Sequence, residues 1–541
     1  MKKINRYLVM AVAAILSAAC TEDAMNTEPL GDFVTSEQKS EVANADPEKT
    51  EAAVNAISAS MTTLGAAWHS GSNHNDFGYP AVMLVTEHSG EDLVSSYHGY
   101  NWFNPALRFI DRTPQSDHAE LIWLTLYNQI SAANAVIGIS DPETEDSNSQ
   151  FYLGQALTAR ALSYMTLAQI FQFTYKGHEN DLCVPYISEN TESTARRTVA
   201  EIYGHIMDDL NLAVDLLSKT SRTRADKRYA DVSVAYGLRA RANLIMNNWA
   251  EAASDADAAM KGYTPYSIDE VSKPTFNAVT NAWMWAIVLA ETDDVVQHGL
   301  ATWASHICSF TMGYTGLVAC YRSINKKLYD EIPSTDVRKG WWLDENTSSP
   351  NIANYGGLNI NVTGPTAFGC SAGGDDANQF GGAWAPYVNV KFGPWKDELG
   401  SSTPANPWPL MRVEEMYFIK AEALAMSGNT GEAKSLLESF VKTYRDPSYT
   451  CSASSAEDIR DAVWFQRRIE LWGEGFSFFD VLRLKKPIDR RGGGFNKAVV
   501  YNIPEESGIM LWLIPQSEVE ANKELGPNNM VYSAPSSVAD L

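Results

Sequence analysis

Basic residues are scarce in this chain. It carries 42 Lys and Arg against 66 Asp and Glu over 541 residues, a net charge of −24. A surface this acidic repels phosphate backbones and anionic headgroups, which argues against nucleic acid as a partner. No long block of like charge concentrates the acidity, so solubility accounts for it. Long apolar runs are also scarce. Residues 8–19 are apolar or small throughout, but a spanning helix needs about 20 such residues. Only six cysteines are present and no CxxC pair, so neither a zinc site nor a redox motif is indicated. There is no HExxH and no nucleophile elbow, and "RRGGGF" lacks the strand–turn–helix setting of a phosphate loop. "GGDDAN" at 373–378 lacks EF-hand spacing. His69 and His74 with Asp76 read as a polar loop rather than a metal site. Neither a metal nor a cofactor is expected.

The short apolar run follows Lys2, Lys3 and Arg6, which is the order of a secretory signal peptide. Ser17, Ala18 and Ala19 stand directly before Cys20. That arrangement is similar to a bacterial lipobox, in which cleavage leaves the cysteine N-terminal and its thiol receives lipid. The alternative is an ordinary signal cleaved near Ala19. A lipid on Cys20 would be the only anchor, since no second long apolar stretch follows. Thr21, Glu22 and Asp23 resemble the acidic tag that sends lipoproteins of Bacteroidetes to the outer cell surface. The other cysteines are Cys183, Cys308, Cys320, Cys370 and Cys451. They admit a Cys308–Cys320 disulfide or buried free thiols.

Residues 20–50 are polar and read as a tether. Helical patterns dominate afterwards. In "QALTARALSYMTLAQIF", Leu157, Ala161, Tyr164, Ala168 and Phe171 form one apolar stripe, and Ile202, Ile206, Leu210, Ala213 and Leu217 form another. "ARANLIMNNWAEAA" at 240–253 and "AEALAMSGNTGEAK" at 421–434 align when displaced by 181 residues. Each reads as a helix with small alanines, a tight turn and a second amphipathic helix. That is the pattern of a tetratricopeptide-type hairpin, whose face is buried only by stacking on neighbours. Two stretches differ, about 66–118 and 261–410. They are rich in Gly and Asn with poor helical periodicity, and the second holds more than half of the 15 tryptophans. The fold class expected is mainly α: a helical-repeat scaffold at about 51–260 and 411–541, with two irregular, aromatic-rich insertions in a single domain from 51 to 541. Insertions into repeats tend to lie on one face, often the binding face.

Six segments in order then resemble the SusD/RagB family of outer-membrane nutrient-binding lipoproteins. They are "WLTLYNQISAANAV", "ARALSYMTLAQIFQ", "RRTVAEIYGHIMDDLNLAVDLL", "MRVEEMYFIKAEALAMSG", "RRIELWGEGFSFFDVLRLKK" and "LWLIPQSEVEAN". Gln466 and Phe476 depart from residues common there, and "GPNNMVY" replaces a usual C-terminal motif. The resemblance implies four tetratricopeptide-like units with an irregular part packed on them. It also implies a non-enzymatic lipoprotein of the outer membrane, exposed at the cell surface, that captures oligosaccharides and caps a SusC-like TonB-dependent transporter. Peptide capture, as in RagB-like members, is the rival within the family. A pure assembly scaffold and an anchored glycosidase are rivals outside it.

A sugar binder needs exposed rings beside amides and charged groups. "SSYHGYNWFN" offers Tyr97, His98, Tyr100, Asn101 and Trp102 for this, and the family's ligand loop lies near this point. "DVRKGWWLDENT" offers Arg338, Trp341 and Trp342. If that segment is extended its tryptophans point to opposite faces, which leaves one as a platform. Trp283 and Trp384 are weaker candidates. Trp123, Trp249, Trp464 and Trp472 fall on helical stripes and read as core. Glu470 and Glu474 are spaced as an i, i+4 pair, but among Arg467, Arg468 and Arg483 they read as ion pairs.

Overall fold

A computed structural model describes residues 47–97, 100–191, 193–316, 320–354 and 385–541. Cys20, His98, Cys370, Trp384 and the 373–378 stretch lie outside them. The part from Glu48 to Leu541 is one compact unit. Its helices are α1 (Pro47–Ser60), α2 (Tyr79–Ser89), α3 (Asp117–Ile137), α4 (Ser147–Phe171), α5 (Val199–Lys219), α6 (Val232–Ile245), α7 (Trp249–Ala259), α8 (Val413–Met426), α9 (Thr430–Tyr444), α10 (Ala456–Glu470) and α11 (Ser477–Arg483), with shorter turns between. The strands are brief. β1 (Leu93–Ser95) pairs with β3 (Arg322–Ile324), and β2 (Trp283–Ile287) with β4 (Trp408–Arg412), all antiparallel. None of the helices among the described residues is long and apolar enough to cross a membrane.

The helices form a stack in which α4 packs on α3 and α5, α6 on α7, and α8 on α7, α9 and α10. Local chemistry sets their starts. Thr198 and Glu201 form a capping box at α5, each satisfying a backbone N–H of the other, a device worth about 1 kcal/mol. The 181-residue displacement holds down to the turn geometry. Asn248 N–H donates to the Asn243 carbonyl at 2.8 Å, and Asn429 N–H to the Leu424 carbonyl at 2.8 Å. The left-handed residue is Asn247 in one turn and Gly428 in the other. The two residue types that tolerate positive φ thus close equivalent hairpins.

The block at 66–118 is not irregular throughout. It contains α2, every residue of which is buried. A helix buried all round has no amphipathic period, so its pattern leaves nothing to read. α2 begins at Gly78, whose φ of 84° and ψ of −149° lie in a region open essentially to glycine alone. A Cβ there would sit 2.3 Å from the Met61 carbonyl oxygen. Gly78→Ala is expected to cost about 1–3 kcal/mol. An unchanged chemical-denaturation midpoint would contradict this.

α2 is tied to the distant C-terminal third. The Glu87 carboxylate accepts the N–H groups of Gly473 and Gly475 at 2.9 and 3.0 Å. Trp472 Nε1 donates to the Asp92 carbonyl at 3.0 Å, Arg468 pairs with Glu91 and Asp92, and buried Arg490 donates to the Gly90 and Leu107 carbonyls. Cys183, Cys308 and Cys451 are buried free thiols, and Cys320 is buried as well. Cys308 and Cys320 are therefore not bridged, and Cys308 Sγ instead donates to the Phe392 carbonyl at 3.2 Å.

Candidate functional site

The surface before α3 is organised around two buried carboxylates. Asp76 accepts the backbone N–H of Ala67 at 3.1 Å and of Trp68 at 3.0 Å. Burial lifts its carboxyl above the ordinary value, and those amides offset only part of the effect. This turn fixes the stretch that carries half-buried Trp68, whose Nε1 donates to Glu120 Oε2 at 3.2 Å. The second carboxylate is Asp111, which pairs with Arg112 and accepts from His118 Nδ1 at 2.9 Å. His118 stands in the first turn of α3, where the Ser116 hydroxyl accepts the N–H groups of His118 and Ala119. The other ring nitrogen of His118, Nε2, lies 3.2 Å from the Trp102 carbonyl oxygen.

Trp102 is half-buried. Its ring stacks on His74, with centroids 5.2 Å apart and planes 30° apart. His74 shares a 2.6 Å hydrogen bond with the Tyr314 hydroxyl and meets His298 edge-on at 4.8 Å. Burial, with a contribution from His298, lowers the His74 imidazole below its ordinary value, so the ring behind Trp102 is neutral at physiological pH. Between Trp68 and Trp102 lies an open groove of about 380 Å³, also lined by Asn73, Asn75, Ile110, Thr113, Gln115 and Asp117. Ile110 is 43% exposed. The groove therefore offers two indoles and an aliphatic side chain edged with carboxamides and a hydroxyl. Such a surface complements a ring that is apolar on its faces and polar at its edge. A groove of about 570 Å³ runs between α1 and residues 287–295, but Tyr229 is the single aromatic ring lining it among the described residues.

The candidates from the sequence divide sharply. Trp102 lines the groove. Tyr100 presents its ring at the surface, and half-buried Tyr97 lies under the Arg108 guanidinium at 5.4 Å. Asn101 is a correction: it is 2% exposed. Its Nδ2 donates to the Ser95 hydroxyl and Ser96 carbonyl, and its Oδ1 accepts from Phe103 N–H and Arg322. It shapes the loop and has nothing left for a ligand.

Arg338, Trp341 and Trp342 are corrections as well, each 0% exposed. Residues 337–341 form a 3-10 turn rather than an extended run, so alternation does not apply. Both tryptophans point into the core. Trp341 Nε1 donates to the Val271 carbonyl at 2.9 Å, and the Trp342 ring meets Trp472 edge-on at 5.5 Å. Arg338 is spent on Asp336, Gln466 and Glu470. Trp283 is equally buried, with its Nε1 on the Tyr266 hydroxyl. Trp123 and Trp472 are core, while Trp249 and Trp464 pack against it half-buried.

Glu470 and Glu474 are ion-paired, but with other partners than their sequence neighbours. Glu470 meets Arg338, Arg412 and Arg445, and Glu474 meets Arg412 and Lys391, all at most 1% exposed. Arg467 and Arg483 are engaged with Asp480. The carboxylates are closed to substrate. Trp68, Asn73 and Asn75 in the groove and His74 behind Trp102 are among the residues that sequence reasoning did not single out for binding. Their signal was a run of ring and amide side chains in "WHSGSNHNDFGYP" with no period to bury them.

The chain belongs to the SusD family: that family's model matches residues 238–532, and a second, described as "Starch-binding associating with outer membrane", matches residues 37–244. A SusD-like protein of Bacteroides ovatus is 23% identical over 283 residues, which is 51% of this chain and 46% of that one. The match thus spans under half of that relative's length. Among solved structures, a SusD-like carbohydrate binding protein from Bacteroides vulgatus superposes with a TM-score of 0.69 at 22% identity, over 88% of this chain and 97% of the other. Surface glycan-binding protein A from Bacteroides thetaiotaomicron, in complex with laminarihexaose, gives 0.61 at 18% identity, over 89% and 99%. These likenesses establish the fold.

Proposed function

We propose that this chain is a lipid-anchored surface protein that captures oligosaccharides in the Trp68–Trp102 groove and passes them to a SusC-like TonB-dependent transporter. The observation that carries this reading is the Trp102 ring, backed by neutral His74 and facing a groove edged with carboxamides. Stacking supplies affinity, and Asn73, Asn75 and Gln115 supply orientation. The association of the matched family with starch and the outer membrane, and the laminarihexaose bound to a structural neighbour, support the ligand class and location. Lipid on Cys20 would supply the anchor. The carboxamides, the Thr113 hydroxyl and the Asp117 carboxylate of the groove supply donors and acceptors for sugar hydroxyls. The buried state of Glu470 and Glu474 supports binding without hydrolysis.

The test is calorimetric titration of the full chain with plant, host and microbial oligosaccharides alongside tryptic peptides. Saturable binding to one glycan class is expected. Trp102→Ala should weaken it by about 2 kcal/mol, roughly thirtyfold, as for an aromatic anchor at a binding hot spot. Heat from peptides alone would replace this reading with peptide capture. Silence across both would leave a scaffold role.

A further inference from the structure

We propose that the cleft where α2, α4, α6, α8, α10 and α11 converge is a second ligand site, which takes a short-chain monocarboxylate on the uncommitted edge of Arg467. Arg467 stands in the last turn of α10, is 4% exposed and lines this cleft. Its Nε donates to Asp480 Oδ2 at 2.7 Å. Among the described residues its Nη1 is buried with no hydrogen-bond partner, and Nη2 makes no hydrogen bond either. Two N–H groups on one planar edge match the two oxygens of a carboxylate. A guanidinium buried with that edge idle carries a desolvation cost that such a ligand removes.

The rest of the cleft selects the ligand. Met83, Met165, Leu244, Phe476 and Phe479 give it apolar walls. Its other polar side chains are paired. The Tyr79 and Thr166 hydroxyls meet at 3.3 Å, and the Gln169 amide donates to the Met165 carbonyl at 3.1 Å. Arg241 is held by Glu415, and Arg483 by Glu422 and Asp480. Three guanidiniums stand against two carboxylates in the lining, which favours an anion over a cation. A sugar would press unpaired hydroxyls against thioether and phenyl walls. The space is about 50 Å³, roughly that of four waters at about 10–15 Å³ each, so a carboxylate on a short aliphatic chain fills it. Phe476, with the Arg241 guanidinium 5.0 Å from its ring, is one of the two residues that depart from those common in the resembling family segment. The departure thus falls on a wall of this cleft and makes it apolar.

The cleft shares no lining residue with the Trp68–Trp102 groove, so the proposal goes beyond the glycan reading and does not depend on it.

Met83 and Met165 report on the site directly. Carbon-13 spectra of the full chain, labelled at its methionine methyl groups, should show saturable shifts of these two signals with sodium butyrate. Met83→Leu and Met165→Leu assign them. The same concentration of n-butylammonium chloride should leave them in place. Arg467→Lys keeps the charge but not the planar edge, and should weaken butyrate by about tenfold or more, the loss of a charge-assisted hydrogen bond. Leu244→Phe fills the cleft while sparing Arg467, and should abolish the shifts. Trp102→Ala should keep them. Met83 and Met165 signals that ignore butyrate, or that follow butylammonium equally, overturn the proposal and leave Arg467 facing water. So does a folded Arg467→Lys chain that binds butyrate as the wild type does. Where Arg467→Lys does not fold, Leu244→Phe and the butylammonium arm decide.

Discussion

Glu470→Ala is expected to destabilise the chain by about 3–5 kcal/mol, because it strands three buried guanidiniums without their shared carboxylate. Arg445 bonds Glu470 through Nε at 2.7 Å and Nη2 at 2.8 Å, Arg338 reaches it at 3.1 Å and Arg412 at 3.2 Å. All four side chains are at most 1% exposed, so water does not replace the lost partner. The same group predicts an acid limb. Burial would raise the Glu470 carboxyl, but Arg445, Arg412 and Arg338 hold it far below its ordinary 4.5. Below that value the unfolded chain takes up a proton that the folded one refuses. The stabilisation is thus present above the ordinary glutamate range and lost as pH falls toward the folded value. Glu87 has the opposite sign: burial pushes it up to about 8, so its contribution is complete below 4.5 and lost as pH rises to about 8. Denaturation midpoints across this range check both. Glu470→Ala should lower the midpoint at pH 6 and flatten the acid limb, and a limb of unchanged slope would assign it to other carboxylates.

Trp341→Ala is expected to cost a similar 3–5 kcal/mol, the range for truncating a buried aromatic side chain. The ring is 0% exposed, packs edge-on to Phe276 at 5.7 Å and lies 5.0 Å from the Lys391 ammonium. The cavity would adjoin a charge already fully committed to Glu474 and two carbonyls. At temperatures where the variant stays folded, its glycan affinity should equal the wild type's. The contrast with Trp102→Ala is the point: one tryptophan carries stability, the other carries binding. Loss of affinity at unchanged stability in Trp341→Ala would return that ring to the surface.

The scaffold was legible in the chain because its signals are local. A stripe such as Leu157 to Phe171 has a period, and the hairpins at 240–253 and 421–434 announce their turns with Asn, Gly and small residues. α2 was not legible, because burial on all sides removes the contrast that a period needs. The site was legible in part. Aromatics crowded into a Gly- and Asn-rich stretch led to Trp102, and the same logic, applied to "WHSGSNHNDFGYP", leads to Trp68 and His74. Applied to "GWW" it failed. Exposure of a ring there depends on partners 70 or more residues away, among them the Val271 carbonyl for Trp341 and Trp472 for Trp342. Asn101 failed for a related reason. Its amide looks available in sequence, but Arg322 consumes it from 221 residues away.

The ties between residues 87–92 and 468–490 bear on how the chain comes to be folded at all. A ribosome delivers the first partner several hundred residues before the second. Until then Glu87 and Asp92 lack their donors, and the apolar side chains of α2 from Tyr79 to Val85 have no lasting cover. The early product is therefore a sticky half-structure whose closure waits on the last third of the polypeptide. Under the proposed surface location this delay is an advantage, because a protein that cannot close early stays threadable.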